Sequence, residues 1–173
     1  MNAFFFIPHP AALIPMLLDR AVLYDFELAG RRVRLWKRLG ESYEHVLMKA
    51  LAYAMFVPLY PGLEIERRVG LRYKPDLVAQ GEDGRFLFWG ECGANSVRKS
   101  AWLLKHAPVE RLVLFKMEGG VAQLAEQLRS AIAARYLRPG RFSLINFDRE
   151  VIALTADRRI DNVPPSWYTE TQL

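Results

Sequence analysis

The sequence predicts an α/β fold: a central mixed sheet flanked by helices, with an N-terminal β-hairpin. Three observations carry this. Apolar residues make up 51% of the 173, enough to fill the core of one domain of ordinary size. The apolar pattern changes along the chain from the alternation of strands to the three-to-four spacing of helices. The resulting order is hairpin, helix, three strands, helix, strand, helix, strand, which favours a sheet with helices on its faces.

The hairpin comes first. Ala21 to Leu28 and Arg32 to Trp36 alternate around an Ala29-Gly30 turn. Glu41 to Phe56 reads as a helix, with Ser42 as its cap, Pro58 as its stop, and an apolar stripe through Leu47, Leu51, Ala54 and Met55. Strands follow at Leu63 to Val69 and Tyr73 to Ala79. Gly81 to Gly84 is a tight turn into the aromatic strand Arg85 to Cys92. A helix over 95–106 takes Asn95 or Ser96 as its cap. Arg111 to Lys116 is a short buried strand and Val121 to Tyr136 a long amphipathic helix. Phe142 to Phe147 and Val151 to Thr155 are read as the last strands. Residues 1–173 are read as one domain. Residues 1–15 form an arm or precede a true start at Met16, and 162–173 form a polar tail. Prolines 8, 10 and 15 break the apolar N-terminus, which fits neither a signal peptide nor a membrane span.

Composition narrows the function classes. Cys92 is the one cysteine, and the three histidines form no ligand pair at finger or helical spacing. This excludes a disulfide framework and a zinc finger, and points to a reducing, cytoplasmic setting. The net charge of +5 comes mostly from arginine, whose planar fork matches phosphate oxygens. Nucleic acid or another polyanion is the expected partner. The basic residues gather at Arg31, Arg32, Arg34, Lys37 and Arg38, and again at Arg67, Arg68, Arg72 and Lys74; a solvated face is the plain alternative.

Three acids stand in apolar surroundings: Glu44 on the stripe of the first helix, Asp76 after Pro75 in an apolar strand, and Glu91 at the end of the aromatic strand. Charged groups so placed need a partner or a cation. The tight turn pairs the last two strands, which brings Asp76 and Glu91 to one end of the sheet. Structural explanations exist for each acid. Glu44 can pair with Lys49, Asp76 can serve a turn, and Glu91 can pair with Arg98. Cys92 reads as a small buried residue, Phe86, Phe88 and Trp89 as core, and His45 as a supporting or surface group.

Pro75-Asp76, a gap of fourteen residues, Glu91 at a strand end and Glu44 on the preceding helix together resemble the signature of the PD-(D/E)XK phosphodiesterase superfamily. Within it the chain most resembles the YaeQ family. The matching stretches are Glu44-His45-Val46-Leu47-Met48 running into Leu51-Ala52-Tyr53, then Lys74-Pro75-Asp76-Leu77, Trp89-Gly90-Glu91-Cys92-Gly93, Arg98-Lys99 and Leu112-Val113-Leu114-Phe115. The resemblance spans about residues 20 to 155. It implies a restriction-endonuclease-like core and a Mg²⁺- or Mn²⁺-dependent nuclease acting on nucleic acid, DNA foremost. Asp76, Glu91 and the Cys92 carbonyl would hold the metal, and Glu44 would assist. The superfamily's lysine two residues after Glu91 is Gly93 here; Lys99 on the next helix can reach the site on its long flexible stem, with Arg98 and Lys105 as lesser candidates and an ordinary exposed helix lysine as the alternative. A fold that keeps the acids but only binds nucleic acid, or a protein-interaction module on the same scaffold, are the other two readings.

Overall fold

The computed structural model describes residues 20–94, 96–117 and 119–173; residues 1–15, read as an arm or upstream sequence, lie outside them. The hairpin forms as β1 (Val22–Leu28) and β2 (Arg31–Lys37), antiparallel, with Leu28 opposite Arg31. Helix α1 (Tyr43–Phe56) follows. The Ser42 hydroxyl caps it by accepting from the His45 N–H at 3.2 Å, which satisfies one of the first-turn donors.

Six strands then build the main sheet. β3 (Glu64–Ile65), β4 (Leu77–Gln80) and β5 (Phe86–Cys92) pair antiparallel. β5, β6 (Leu112–Lys116) and β7 (Phe142–Phe147) run parallel. Helix α2 (Val97–His106) connects β5 to β6, and α3 (Val121–Ala131) connects β6 to β7. After the short helix α4 (Val151–Leu154), strand β8 (Arg159–Ile160) joins β1 in a separate three-stranded sheet. The chain then returns as β9 (Tyr168–Gln172), antiparallel to β7.

The central strands are apolar on both faces because both faces are covered. Along β6, Val113 and Phe115 face the layer formed by α1 and the hairpin, while Leu112 and Leu114 face α2 and α3. The same alternation runs through β5. Phe88 packs under α1 with Phe56 and Tyr60, and Trp89 lies on the opposite face with Leu103 and Leu128. Glu91 shares the Trp89 side by period two, so it faces the layer that carries α2. The mixed sheet, the flanking helices and the N-terminal strand pair are those expected.

Several expected boundaries differ, each for a local reason. The strand expected from Leu63 is only two residues long, since Glu66 takes a φ of 55° and turns the chain out. The Tyr73 strand begins only at Leu77, after a proline that lacks a ladder donor. The helix from Val121 stops at Ala131, with Ile132 extended, and a single 3₁₀ turn covers Ala134–Tyr136. The last expected strand, Val151 to Thr155, is instead helix α4; the Leu154 N–H reaches Glu150 O at 3.1 Å and the Thr155 N–H reaches Val151 O at 3.0 Å. A five-residue apolar run has no period of its own to separate helix from strand. The expected tail, 162–173, holds strand β9, polar because it lies at the sheet's edge and is largely exposed.

Phe88 is fully buried, with its ring 4.5 Å from that of Phe56. Phe88→Ala should lower unfolding free energy by about 3–5 kcal/mol, read as a fall in urea midpoint at unchanged slope; a loss under about 1 kcal/mol would contradict this packing.

Candidate functional site

The register of two strands creates the site. Leu77 faces Gly90 across β4 and β5, and the Asp76 N–H donates to the Gly90 carbonyl at 3.1 Å. Continued by one residue, this register sets Asp76 level with Glu91. The Asp76 Oδ2 accepts from the Cys92 N–H at 2.7 Å, which fixes the carboxylate at the end of β5.

Glu91 is 4% exposed, yet both its oxygens are engaged. Trp89 Nε1 donates to Oε1 at 2.7 Å, and Lys99 Nζ donates to Oε2 at 2.5 Å. Burial raises the Glu91 pKa, against the opposing pull of Lys99 and Trp89 and with added repulsion from Asp76. The cap at Ser96, whose hydroxyl accepts from the Lys99 N–H at 3.1 Å, starts α2 so that Lys99 lies in its first turn, over the strand end. The structure thus brings Asp76, Glu91, Cys92 and Lys99 together. Arg98, the alternative partner for Glu91, is exposed and does not reach it. The Cys92 thiol is fully buried, and burial first, then the Asp76 charge, pushes its pKa well up; it is a packing residue, not a nucleophile.

Position 93 has no room for a side chain. Gly93 has a φ of 71°, and a Cβ there would lie 2.8 Å from His45 Nδ1. The imidazole fills the space that a side chain at 93 would need. His45 Nε2 lies 3.2 Å from Glu41 Oε1 and 3.5 Å from Asp76 Oδ1. On its far side a cleft of about 370 Å³ opens, lined by Glu41, Glu44, His45, Gly93, Lys116 and Arg149 among others. This places it at the carboxyl ends of β5, β6 and β7, where open α/β sheets take their ligands. Glu44 lies on this cleft, apart from Asp76 and Glu91. It is half-exposed instead of buried on the apolar stripe, and its partner is Arg149, not Lys49.

Lys49 itself is 1% exposed and holds a second network that sequence reasoning missed. Its Nζ lies 2.8 Å from Glu41 Oε1 and 2.6 Å from Glu66 Oε1. Arg38 and Lys74 bond the other Glu66 oxygen, at 2.6 and 3.1 Å. Burial acts to lower the Lys49 pKa, but Glu41 and Glu66 outweigh it and hold it above the ordinary value. Burial likewise acts to raise Glu66, but Lys49 and Lys74 bring it down to about 2. One partial signal was legible: His45 and Lys49 stand four residues apart on one face of α1, and Glu41 precedes them by the same interval just ahead of the cap. Among the described residues, no three His, Cys, Asp or Glu side chains converge as a metal-binding group.

Two outcomes follow from this geometry. Glu66 ionises at about 2 against an ordinary 4.5, so its contribution is complete above about pH 4.5 and fades as pH falls towards 2. Urea midpoints should therefore drop over that interval, and Glu66→Gln should flatten this part of the profile; an unchanged profile would remove Glu66 as its source. Gly93→Ala should cost about 1–3 kcal/mol, and His45→Ala in the same chain should return only the part due to the collision, since the positive φ remains. Full recovery in thermal melts would show that backbone strain plays no part.

No known family's sequence profile matches the chain, and no curated protein does. Solved structures do. The YaeQ protein from Xanthomonas axonopodis pv. citri superimposes with a TM-score of 0.53 at 16% identity, over 79% of this chain and 78% of that one. The YaeQ protein from Pseudomonas syringae gives 0.54 at 18% identity, over 88% and 93%. At such identities the likeness is one of fold, and at that level the resemblance read from the motifs holds: the chain has the fold of the YaeQ proteins.

Proposed function

We propose that the chain is a metal-dependent phosphodiester hydrolase acting on nucleic acid, DNA foremost, of the PD-(D/E)XK type. The observation that carries this is the convergence of Asp76, Glu91 and the Lys99 ammonium at one strand end, with the lysine reaching in from α2. The donor set suits a hard divalent cation, because Mg²⁺ commonly takes one or two carboxylates and completes its shell with water and phosphate oxygens. Asp76, Glu91 and the Cys92 carbonyl would hold Mg²⁺ or Mn²⁺. Such a cation polarises a phosphate and makes a bound water more acidic.

The chain's own groups do the rest. Trp89 fixes the orientation of Glu91 through its indole N–H. Lys99 offsets the two carboxylates and is available to the charge that develops on a phosphoryl group. Glu44, held by Arg149 on the other side of His45, assists as the auxiliary acid for a substrate that extends from the acid pair into the cleft. A second reading has its own support. With Trp89 and Lys99 both bonded, Glu91 is neutralised internally, as suits a fold that binds a polyanion without cleaving it.

Plasmid and single-stranded DNA cleavage in Mg²⁺ or Mn²⁺ tests the choice, together with calorimetric titration of each ion. Wild type should cleave; Asp76→Ala should lose ion binding and at least about a hundredfold in rate. Lys99→Met should lose rate while keeping the ion. A wild type that takes up neither ion and cleaves neither substrate, yet binds DNA, leaves the second reading standing.

A further inference from the structure

We infer that the loop between Glu66 and Asp76, with the exposed row of α2, forms a track for the phosphate backbone of a nucleic-acid strand running to the Asp76–Glu91 pair. The inference rests on the proposed reading of that pair as the chemical centre. The Glu66 N–H donates to the Asp76 carbonyl at 2.8 Å, so the loop begins and ends at the centre itself. Within it the residues alternate. Val69, Leu71 and Tyr73 turn in against the α2 layer with Trp102, while Arg68 and Arg72 stay exposed. On α2, Arg98, Trp102 and Lys105 recur at the spacing of one helical row.

The charge on this surface is uncompensated. Arg67 and Lys74 pair with Glu64 and Glu66, but Arg68, Arg72, Arg98 and Lys105 have no ion pair among the described residues. Between these cations stand two rings. Tyr73 and Trp102 meet edge-on with centroids 5.3 Å apart, and Arg72 and Lys99 lie 5.3 and 5.4 Å from the Tyr73 centroid. Lys99 also bonds Glu91, so the cationic and aromatic surface is continuous with the acid pair. Cations tracking a backbone beside planar groups are the chemistry that receives a nucleic-acid strand. The hairpin cluster differs, since Arg32 pairs with Asp25 and Arg38 with Glu66.

The test is fluorescence anisotropy of labelled DNA of about 20 nucleotides, as single strand and as duplex. The full chain is used, in EDTA, across a salt series. Arg68→Ala, Arg72→Ala and Arg98→Ala combined should weaken binding at least about tenfold and flatten the salt dependence by about two. Arg31→Ala, Arg32→Ala and Arg34→Ala remove the same charge from the hairpin and should change affinity less than about twofold. The single-strand and duplex arms identify which form the track takes. Equal losses in the two triple variants, no binding by wild type, or equal competition by polyglutamate would each overturn the track. The two proposals fail separately: DNA bound through these arginines but never cleaved retires the hydrolase alone, and cleavage with unchanged KM in the loop triple variant retires the track alone. Circular dichroism melts of both variants establish that the losses are not unfolding.

Discussion

The buried ammonium of Lys49 constrains the rest of the molecule. A charge that is 1% exposed is tolerable only with carboxylates on it, and the two it takes come from different places. Glu41 lies just before α1, and Glu66 follows β3, the edge strand of the main sheet. Satisfying Lys49 therefore sets the depth of α1 against that edge. Arg38, leaving the hairpin, joins through Glu66, so three segments meet at one ion cluster. Glu41 also lies beside His45, which in turn lies beside Asp76. The cluster and the candidate site are two ends of one chain of contacts.

Much of this was legible in the sequence, and the boundary of legibility is physical. The hairpin, α1 and β5 announced themselves because a turn, a cap or an aromatic alternation left a local trace. Asp76 and Glu91 were visible as charges in apolar surroundings, and a tight turn between their strands made their meeting foreseeable. Lys99 was foreseeable from a resemblance that calls for a cation at the strand end together with the reach of a lysine stem from the start of the next helix. The Lys49 cluster was missed because its carboxylates lie 8 and 17 residues away and the tertiary fold alone brings them in. Arg149 reaches Glu44 across 105 residues, beyond any pattern a window could hold. The α4 and β9 differences share a cause: short segments take their form from the neighbours they pack on.

Gly93 shows how one position can reshape a site without emptying it. A glycine with positive φ turns the chain sharply after β5 and leaves room that His45 occupies. An ammonium reaches the strand end from α2, already bonded to the buried carboxylate. Charge balance at the strand end is thus supplied by the helix and not by the strand itself. The imidazole becomes the wall between the acid pair and the neighbouring cleft.

Strand β9 has a role beyond completing the sheet. Its sequence, Tyr168-Thr169-Glu170-Thr171-Gln172, pairs with β7 and forms the outermost ladder. Without it, β7 would present a row of unmatched amides beside Leu144, Ile145 and Phe147, a template for adhesion to another copy. The polar strand covers that row, and its own outer edge carries a carboxylate and small hydroxyls that discourage stacking. The last strand thus protects the sheet from adhesion as well as closing the core, where Tyr168 meets Phe147.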